Sequence, residues 1–399
     1  MEVIQRKKYI NRITPFINKN LVKVILGQRR VGKSYLLFQL MDFIKQSNPK
    51  ASVIYINKEQ AKFAHINDEL DLLKFINSFG QESEKVYLFI DEVQDIRNFE
   101  KAVRSLLTDE KYDIYLTGSN ATLLSGELST FLAGRYIEIP LHSLAYQEFL
   151  IFHKLENNEY SLHKYIKYGG MPYLIHLELS DELVYEYLIN IYNSIILRDI
   201  VSRYNIRNVA FLENLTRYLA DNLGSLLSAS RISNFLKSQQ LNYSPKTIIE
   251  YLTYLENTFF VQKVRRANVQ GRKIFEINDK FYFEDLGLRH SLIRFSIKDI
   301  NKVMENLVYN HLIYCGYKVF VGQLGKKEID FMGEKGNKKI YVQVSYQITD
   351  EKVHAREFGN LLEINDNHPK YVITMDQLAG ESYKGIEHFK LLNFLTMEL

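Results

Sequence analysis

Apolar positions along the chain change their period several times, and each change predicts an element. Residues 21–26 (LVKVIL) form a β-branched run that reads as a buried strand. Just after it, Leu36, Leu37, Leu40, Met41 and Ile44 are spaced as the buried face of a helix. Residues 86–92 (VYLFIDE) are continuously apolar before two acids, as suits a central parallel strand covered on both faces. Residues 112–120 predict another strand, ending in Gly118, Ser119 and Asn120, and 137–139 a short β-like segment. From 144 to about 204 the spacing is helical, with Leu183, Val184, Tyr187, Leu188 and Ile191 on one face. Residues 211–220, 229–237 and 245–256 predict three successive helices, the last capped by Ser244 and begun by Pro245. A strand over 259–266 and a turn at Gly271 follow, so this stretch reads as a winged helix-turn-helix. Beyond it, 281–289 predicts a strand leading into a tight turn, and 303–312 an amphipathic helix. Residues 327–332 and 339–345 predict paired strands joined by a polar turn over 333–338.

The length of 399 residues, 46% of them hydrophobic and 25% charged, is that of an ordinary globular protein of several domains. A net charge of +4 means that nucleic-acid affinity has to come from a local patch. Lys263, Arg265, Arg266, Arg272 and Lys273 supply one, with no acid between them, and form the expected DNA contact. Against readout of bases, the expected recognition helix presents Glu250 and Glu256. A lone cysteine, Cys315, excludes an internal disulfide framework. The first residues lack an apolar signal region and no run reaches membrane-spanning length, so a cytoplasmic location and no membrane partner are expected.

The most specific chemistry lies between the first strand and its helix. Gly27-Gln28-Arg29-Arg30-Val31-Gly32-Lys33-Ser34 fits the phosphate-cradling pattern G-x-x-x-x-G-K-[ST] in its required strand–loop–helix setting. The glycines allow a tight turn whose amides point at phosphate oxygens, and the helix beginning near Tyr35 adds its dipole. Lys33 reaches the terminal phosphates and Ser34 ligates Mg²⁺. Asp91 would hold Mg²⁺, partly through water, and Glu92 would orient and polarise the attacking water.

These motifs resemble those of the AAA-like ATPases. The resemblance implies a polar sensor residue at Ser119 or Asn120, an arginine facing phosphates of the same or a neighbouring subunit at Arg135, and a Gly-x-Pro lid touching adenine through Pro172. The second half widens the likeness: nearly the whole chain is similar to a bacterial and archaeal ATPase family whose members add a winged helix and a C-terminal domain resembling PD-(D/E)xK nucleases. The implied architecture is α/β: an AAA-like domain over 1–142, a helical lid over 143–204, a winged helix over 205–275 and a nuclease-like domain over 276–399. Carried onto this sequence, Glu305 takes the helix acid and Asp330 the first strand acid, whereas Gln343 and Ser345 stand where the pattern has Glu and Lys. A neutral amide cannot supply the lost carboxylate charge and the lysine that would position water is absent, so the nuclease-like domain is expected to be catalytically degenerate unless Glu328 or Glu357 moves into the site. The expected function is hydrolysis of Mg-ATP, coupled to a DNA- or protein-binding module or to self-assembly. Two alternatives are a nucleotide-gated switch with negligible turnover and an ATP-regulated nuclease.

Overall fold

A computed structural model describes residues 4–79, 85–125, 132–271, 274–376, 379 and 382–399. Two compact units emerge, one of Met1–His142 with Asn257–Phe259, the other of Ser143–Glu256 with Phe260–Leu399.

The first unit is built on five strands, β1 (Val22–Leu26), β2 (Ser52–Asn57), β3 (Val86–Asp91), β4 (Tyr112–Gly118) and β5 (Tyr136–Pro140). Their order is β2-β3-β4-β1-β5, and every neighbouring pair is parallel. Strands β1, β3 and β4 are buried along their whole length, which is why their sequences are nearly all apolar. Edge strand β2 buries only alternate residues and carries a weaker signal. Leu36, Leu37, Leu40 and Ile44 of the Lys33–Ser47 helix are buried, as are Val103, Leu106 and Leu107 of the Phe99–Thr108 helix. A parallel sheet directs all its C-terminal ends to one edge. With Leu26 opposite Gly118 and Ile90 opposite Leu116, that edge receives the loop after β1, Asp91 and Glu92 after β3, and Ser119 after β4.

The second unit begins with helices Tyr146–His153, Glu159–Tyr168 and Asp181–Ser194, the last running into a π-helical segment, Ile195–Ser202. Helices Val209–Asp221, Ala229–Ser238 and Pro245–Asn257 follow, and Ser244 Oγ caps the third by accepting from Thr247 N at 3.1 Å. Then come β6 (Val261–Asn268) and β7 (Ile274–Phe283), an antiparallel pair. This hairpin is not a free wing. Strand β6 also pairs in parallel with β8 (Lys318–Leu324), joining the hairpin to an eight-stranded mixed sheet that includes β9 (Lys327–Lys335), β10 (Lys338–Val344) and β11 (Lys370–Thr374). Helix Ile300–Tyr314 accompanies that sheet.

The segment 281–289 does not end in a tight turn; Asp285 caps a helix, Leu286–Ile293, by accepting from Leu288 N. Gly287 serves packing, because a Cβ there would lie 2.0 Å from the Tyr168 carbonyl oxygen. No helix among the described residues is long and apolar enough to cross a membrane.

Candidate functional site

Gly27 opens the phosphate loop because a larger residue would not fit: a Cβ there would lie 2.1 Å from the Leu141 carbonyl oxygen. Arg30 and Gly32 adopt left-handed φ of 70° and 97°, turning the backbone sharply before the helix begins at Lys33. Arg6 fastens the loop from outside, donating through Nη1 to the carbonyls of Val31 at 3.3 Å and His142 at 2.8 Å. The Lys33 ammonium turns back into the loop. It donates to the carbonyls of Gly27 at 3.1 Å and Gln28 at 3.2 Å, and lies 3.4 Å from Glu92 Oε1. Arg29 is buried and pairs with Glu59 at 3.1 Å, while Arg30 is exposed and Tyr35 is 56% exposed.

Asp91, 1% exposed, is held from two neighbouring strands. Thr117 Oγ1 on β4 donates to its Oδ1 at 2.5 Å, and the Tyr55 hydroxyl on β2 donates to its Oδ2 at 3.1 Å. Ser34 also hydrogen-bonds to it, yet burial dominates and raises the pKa of Asp91. Thr117 serves twice, since the same oxygen accepts from Glu92 N at 2.9 Å. Glu92 has a left-handed φ of 55°. Burial alone would raise its pKa, but Lys33, then Gln94 and Arg29, outweigh it and hold Glu92 down to about 2. Gln94 Nε2 donates to Glu92 Oε2.

The structure therefore gathers Lys33, Ser34, Asp91 and Glu92 at one edge of the sheet. It also separates the two polar residues after β4. Ser119 lies beside Glu92 and favours its ionised form, without a well-aligned hydrogen bond. Asn120, the other expected sensor, turns its Oδ1 to Thr122, accepting from its backbone N at 2.8 Å and its hydroxyl at 2.6 Å. Arg135 is not brought to the site in its own chain. Its carbonyl accepts from Val22 N at 3.0 Å, at the start of β1, whereas the loop follows the other end. Those ends are roughly 15 Å apart at the usual rise of an extended strand. The Arg135 side chain donates instead to the Leu132 carbonyl at 3.5 Å. Pro172 belongs to the second unit, where it opens a short 3-10 helix, Pro172–His176.

Does this edge suit Mg-ATP? Gln28 is 1% exposed, and among the described residues neither its Nε2 nor its Oε1 has a hydrogen-bond partner. Gln94 Oε1 is likewise buried and without a partner among the described residues. Unmet polar atoms of this kind are costly, and a polar ligand offers them partners. Ser34 and Asp91 are oxygen donors of the kind Mg²⁺ takes alongside phosphate and water. The residues fit the group. Gln94, Thr117 and Tyr55 escape a reading of motifs, because register alone brings the strands of Thr117 and Tyr55 to Asp91.

A second polar cluster lies in the other unit, at the nuclease-like positions. Lys280 on β7, 4% exposed, places its Nζ 3.1 Å from Glu305 Oε2, 3.0 Å from Glu328 Oε1 and 3.9 Å from Asp330 Oδ1. Burial works against its charge, but Glu305, Asp330 and Glu328 prevail and raise its pKa. Gln343 accepts from Asp330 N at 2.9 Å and donates to Glu357 Oε2 at 2.9 Å. Ser345 Oγ donates to the Gln347 carbonyl at 3.3 Å. The acids thus converge, but around a lysine. Among the described residues no group of three or more His, Cys, Asp or Glu is arranged to hold a metal.

The basic hairpin is less open than its sequence suggests. Lys263 pairs with Asp279 of the facing strand at 3.1 Å, and Arg266 donates to Gln323. Arg265 is exposed, while Arg272 and Lys273 lie outside the described residues.

Residues 19–150 match the model of an AAA domain (AAA_14), and 159–299 match a domain of unknown function, DUF8612. An uncharacterized protein of Haemophilus influenzae is 35% identical over 98% of this chain and 98% of its own length. Another, from Methanocaldococcus jannaschii, is 31% identical over 88% of this chain and 80% of its own. Among solved structures, a Walker-type ATPase of Pyrococcus abyssi is similar at 15% identity, covering 73% of this chain and 96% of that one, with a TM-score of 0.49. The loop, the strand-end acids and the domain match together define an AAA-type P-loop domain, a class that binds nucleotide, typically with Mg²⁺. The chain belongs to the same family as the H. influenzae and M. jannaschii proteins.

Proposed function

We propose that this chain binds Mg-ATP at the 27–34 loop and hydrolyses it, and that its nucleotide state governs a second unit that engages DNA or a protein. The observation that carries the reading is the meeting of Lys33, Ser34, Asp91 and Glu92, with Lys33 Nζ 3.4 Å from Glu92 Oε1 inside an AAA domain. Lys33 binds the terminal phosphates in place of the loop carbonyls. Ser34 and Asp91 hold Mg²⁺, which when bound supplies positive charge against the phosphate oxygens. Glu92 orients water for in-line attack on the γ-phosphorus and takes up its proton as the new P–O bond forms, while the bond to the β-phosphate bridging oxygen breaks and ADP leaves with that electron pair. Leaving Lys33 for phosphate removes the largest influence lowering the basicity of Glu92, so substrate itself prepares the base.

One observation favours the slower reading, a nucleotide-gated switch. Both Glu92 oxygens already face donors, Oε1 Lys33 and Oε2 Gln94, and a carboxylate held near 2 is a weak base. For the second unit we favour binding without nuclease chemistry. Gln343 and Ser345 replace the usual acid and lysine, and Lys280 already supplies the positive charge among the acids. The test compares Lys33→Ala and Glu92→Gln with wild type by fluorescent-nucleotide binding and phosphate release, with and without DNA. The proposal expects Lys33→Ala to lose binding and Glu92→Gln to keep binding while losing turnover. Hydrolysis retained in both variants contradicts it, and stimulation by DNA would identify the partner class.

A further inference from the structure

Gln94 lies two residues beyond Glu92, in the 3-10 turn Val93–Asp95 that ends β3. The left-handed Glu92 starts that turn, with Asp95 N donating to the Glu92 carbonyl at 3.1 Å. This tight reversal lets the Gln94 side chain fold back, so that its Nε2 donates to Glu92 Oε2. The other end of the carboxamide is wedged against the neighbouring strand. A Cβ added to Gly118 would meet Gln94 Oε1 at 3.0 Å, with Leu123 and Leu26 methyl carbons at 3.3 and 3.4 Å from the same point. Gln94 thereby reaches from Glu92 to Gly118 at the end of β4.

We propose that Gln94 is a positioning residue for Glu92, fixing one carboxylate oxygen so that the other is presented to the attacking water. This inference rests on the reading of the site as an ATPase. The two oxygens of Glu92 have different holders: Oε1 faces Lys33 at 3.4 Å, and Oε2 faces Gln94. Substrate phosphates draw Lys33 away and free Oε1. Gln94 is held in the short Val93–Asp95 turn with its Oε1 against Gly118, so its Nε2 stays on Oε2 and the carboxylate does not rotate. A glutamine serving the turn alone would satisfy both ends of its amide locally. Here Oε1 is buried with no hydrogen-bond partner among the described residues, while Nε2 donates to the base.

The test is a double-mutant cycle between Gln94→Met and Glu92→Gln, read by single-turnover ATP hydrolysis with Mg-ATP affinity measured in parallel. Methionine keeps the length of the side chain and removes the donor. Gln94→Met should lower kcat at least about tenfold, as misorientation of a general base does, with KM and affinity within about twofold. In the Glu92→Gln background the same substitution should change the rate by less than about twofold, because the base it orients is gone. Gln94→Leu, which also lacks the donor, should repeat the loss and guards against a packing defect of methionine. Equal losses in both backgrounds, or an unchanged kcat in both Gln94 variants, overturn the proposal while leaving the ATPase reading intact. A wild-type protein that binds Mg-ATP without hydrolysing it overturns both.

Discussion

Lys280 shows how much a single buried side chain decides in this molecule. Its ammonium lies among Glu305, Glu328 and Asp330, and Tyr282 donates to the same Glu305 oxygen at 3.0 Å. Burial and the nearby Glu305 charge raise the pKa of Asp330 well above the usual carboxylate range. Removing the lysine leaves buried acids without their counter-charge, a loss that costs about 3 kcal/mol or more in comparable sites. Lys280→Met should therefore lower the urea midpoint of unfolding, while Glu305→Gln in the same chain should recover part of the loss by relieving carboxylate repulsion. A double variant no more stable than Lys280→Met would contradict this account of the cluster. At the same scale, Lys33, Ser34, Asp91 and Glu92 are legible in the sequence because their spacing is local and fixed by one turn or one strand end. Lys280 is not, because its partners lie on β9 and on the Ile300–Tyr314 helix, far along the chain. The pair Ser119 and Asn120 stays open in the sequence for a similar reason: strand β4 announces where a polar residue emerges, but only backbone geometry decides which of two neighbours faces Glu92.

Elements announce themselves in proportion to their burial. Strands β1, β3 and β4 are wholly buried, and their apolar runs read clearly, whereas alternating edge strand β2 gives no comparable signal. The hairpin of β6 and β7 is visible in the sequence, but its parallel pairing with β8 is not, since a strand's sequence does not name its second neighbour. Glycines mislead in the same way. Gly287 looks like a turn former, yet it sits in a helix against the Tyr168 carbonyl. Gly287→Ala should destabilise the protein by about 2 kcal/mol or more, because backbone and not a movable side chain stands in the way. Gly359, inside the Glu351–Leu362 helix, has no neighbour among the described residues, beyond its own helix backbone, within 4 Å of the place a methyl carbon would take, so Gly359→Ala should behave oppositely. It should stabilise the protein by about 0.5–1 kcal/mol. Chemical unfolding of the two variants checks the sign of each.

Across the whole molecule, protonation of buried groups ties stability to pH. Burial, then Arg289, depresses the pKa of His290 to about 3, against an ordinary value of 6.5. Its neutral form therefore contributes stability that is complete above 6.5 and is lost as pH falls toward 3, since the unfolded chain takes up a proton that the folded one refuses. The stability advantage of wild type over His290→Phe should shrink by about 1.4 kcal/mol per pH unit across that window. An advantage independent of pH would contradict the burial of a neutral imidazole. In the proposed function the AAA-type domain hydrolyses Mg-ATP and its nucleotide state governs the second unit, which engages DNA or a protein. The most direct measurement is single-turnover phosphate release from Mg-ATP by wild type and Glu92→Gln at saturating protein. The account predicts measurable release by wild type and a loss of at least about 100-fold in Glu92→Gln with nucleotide binding retained; release at the wild-type rate from Glu92→Gln would contradict it.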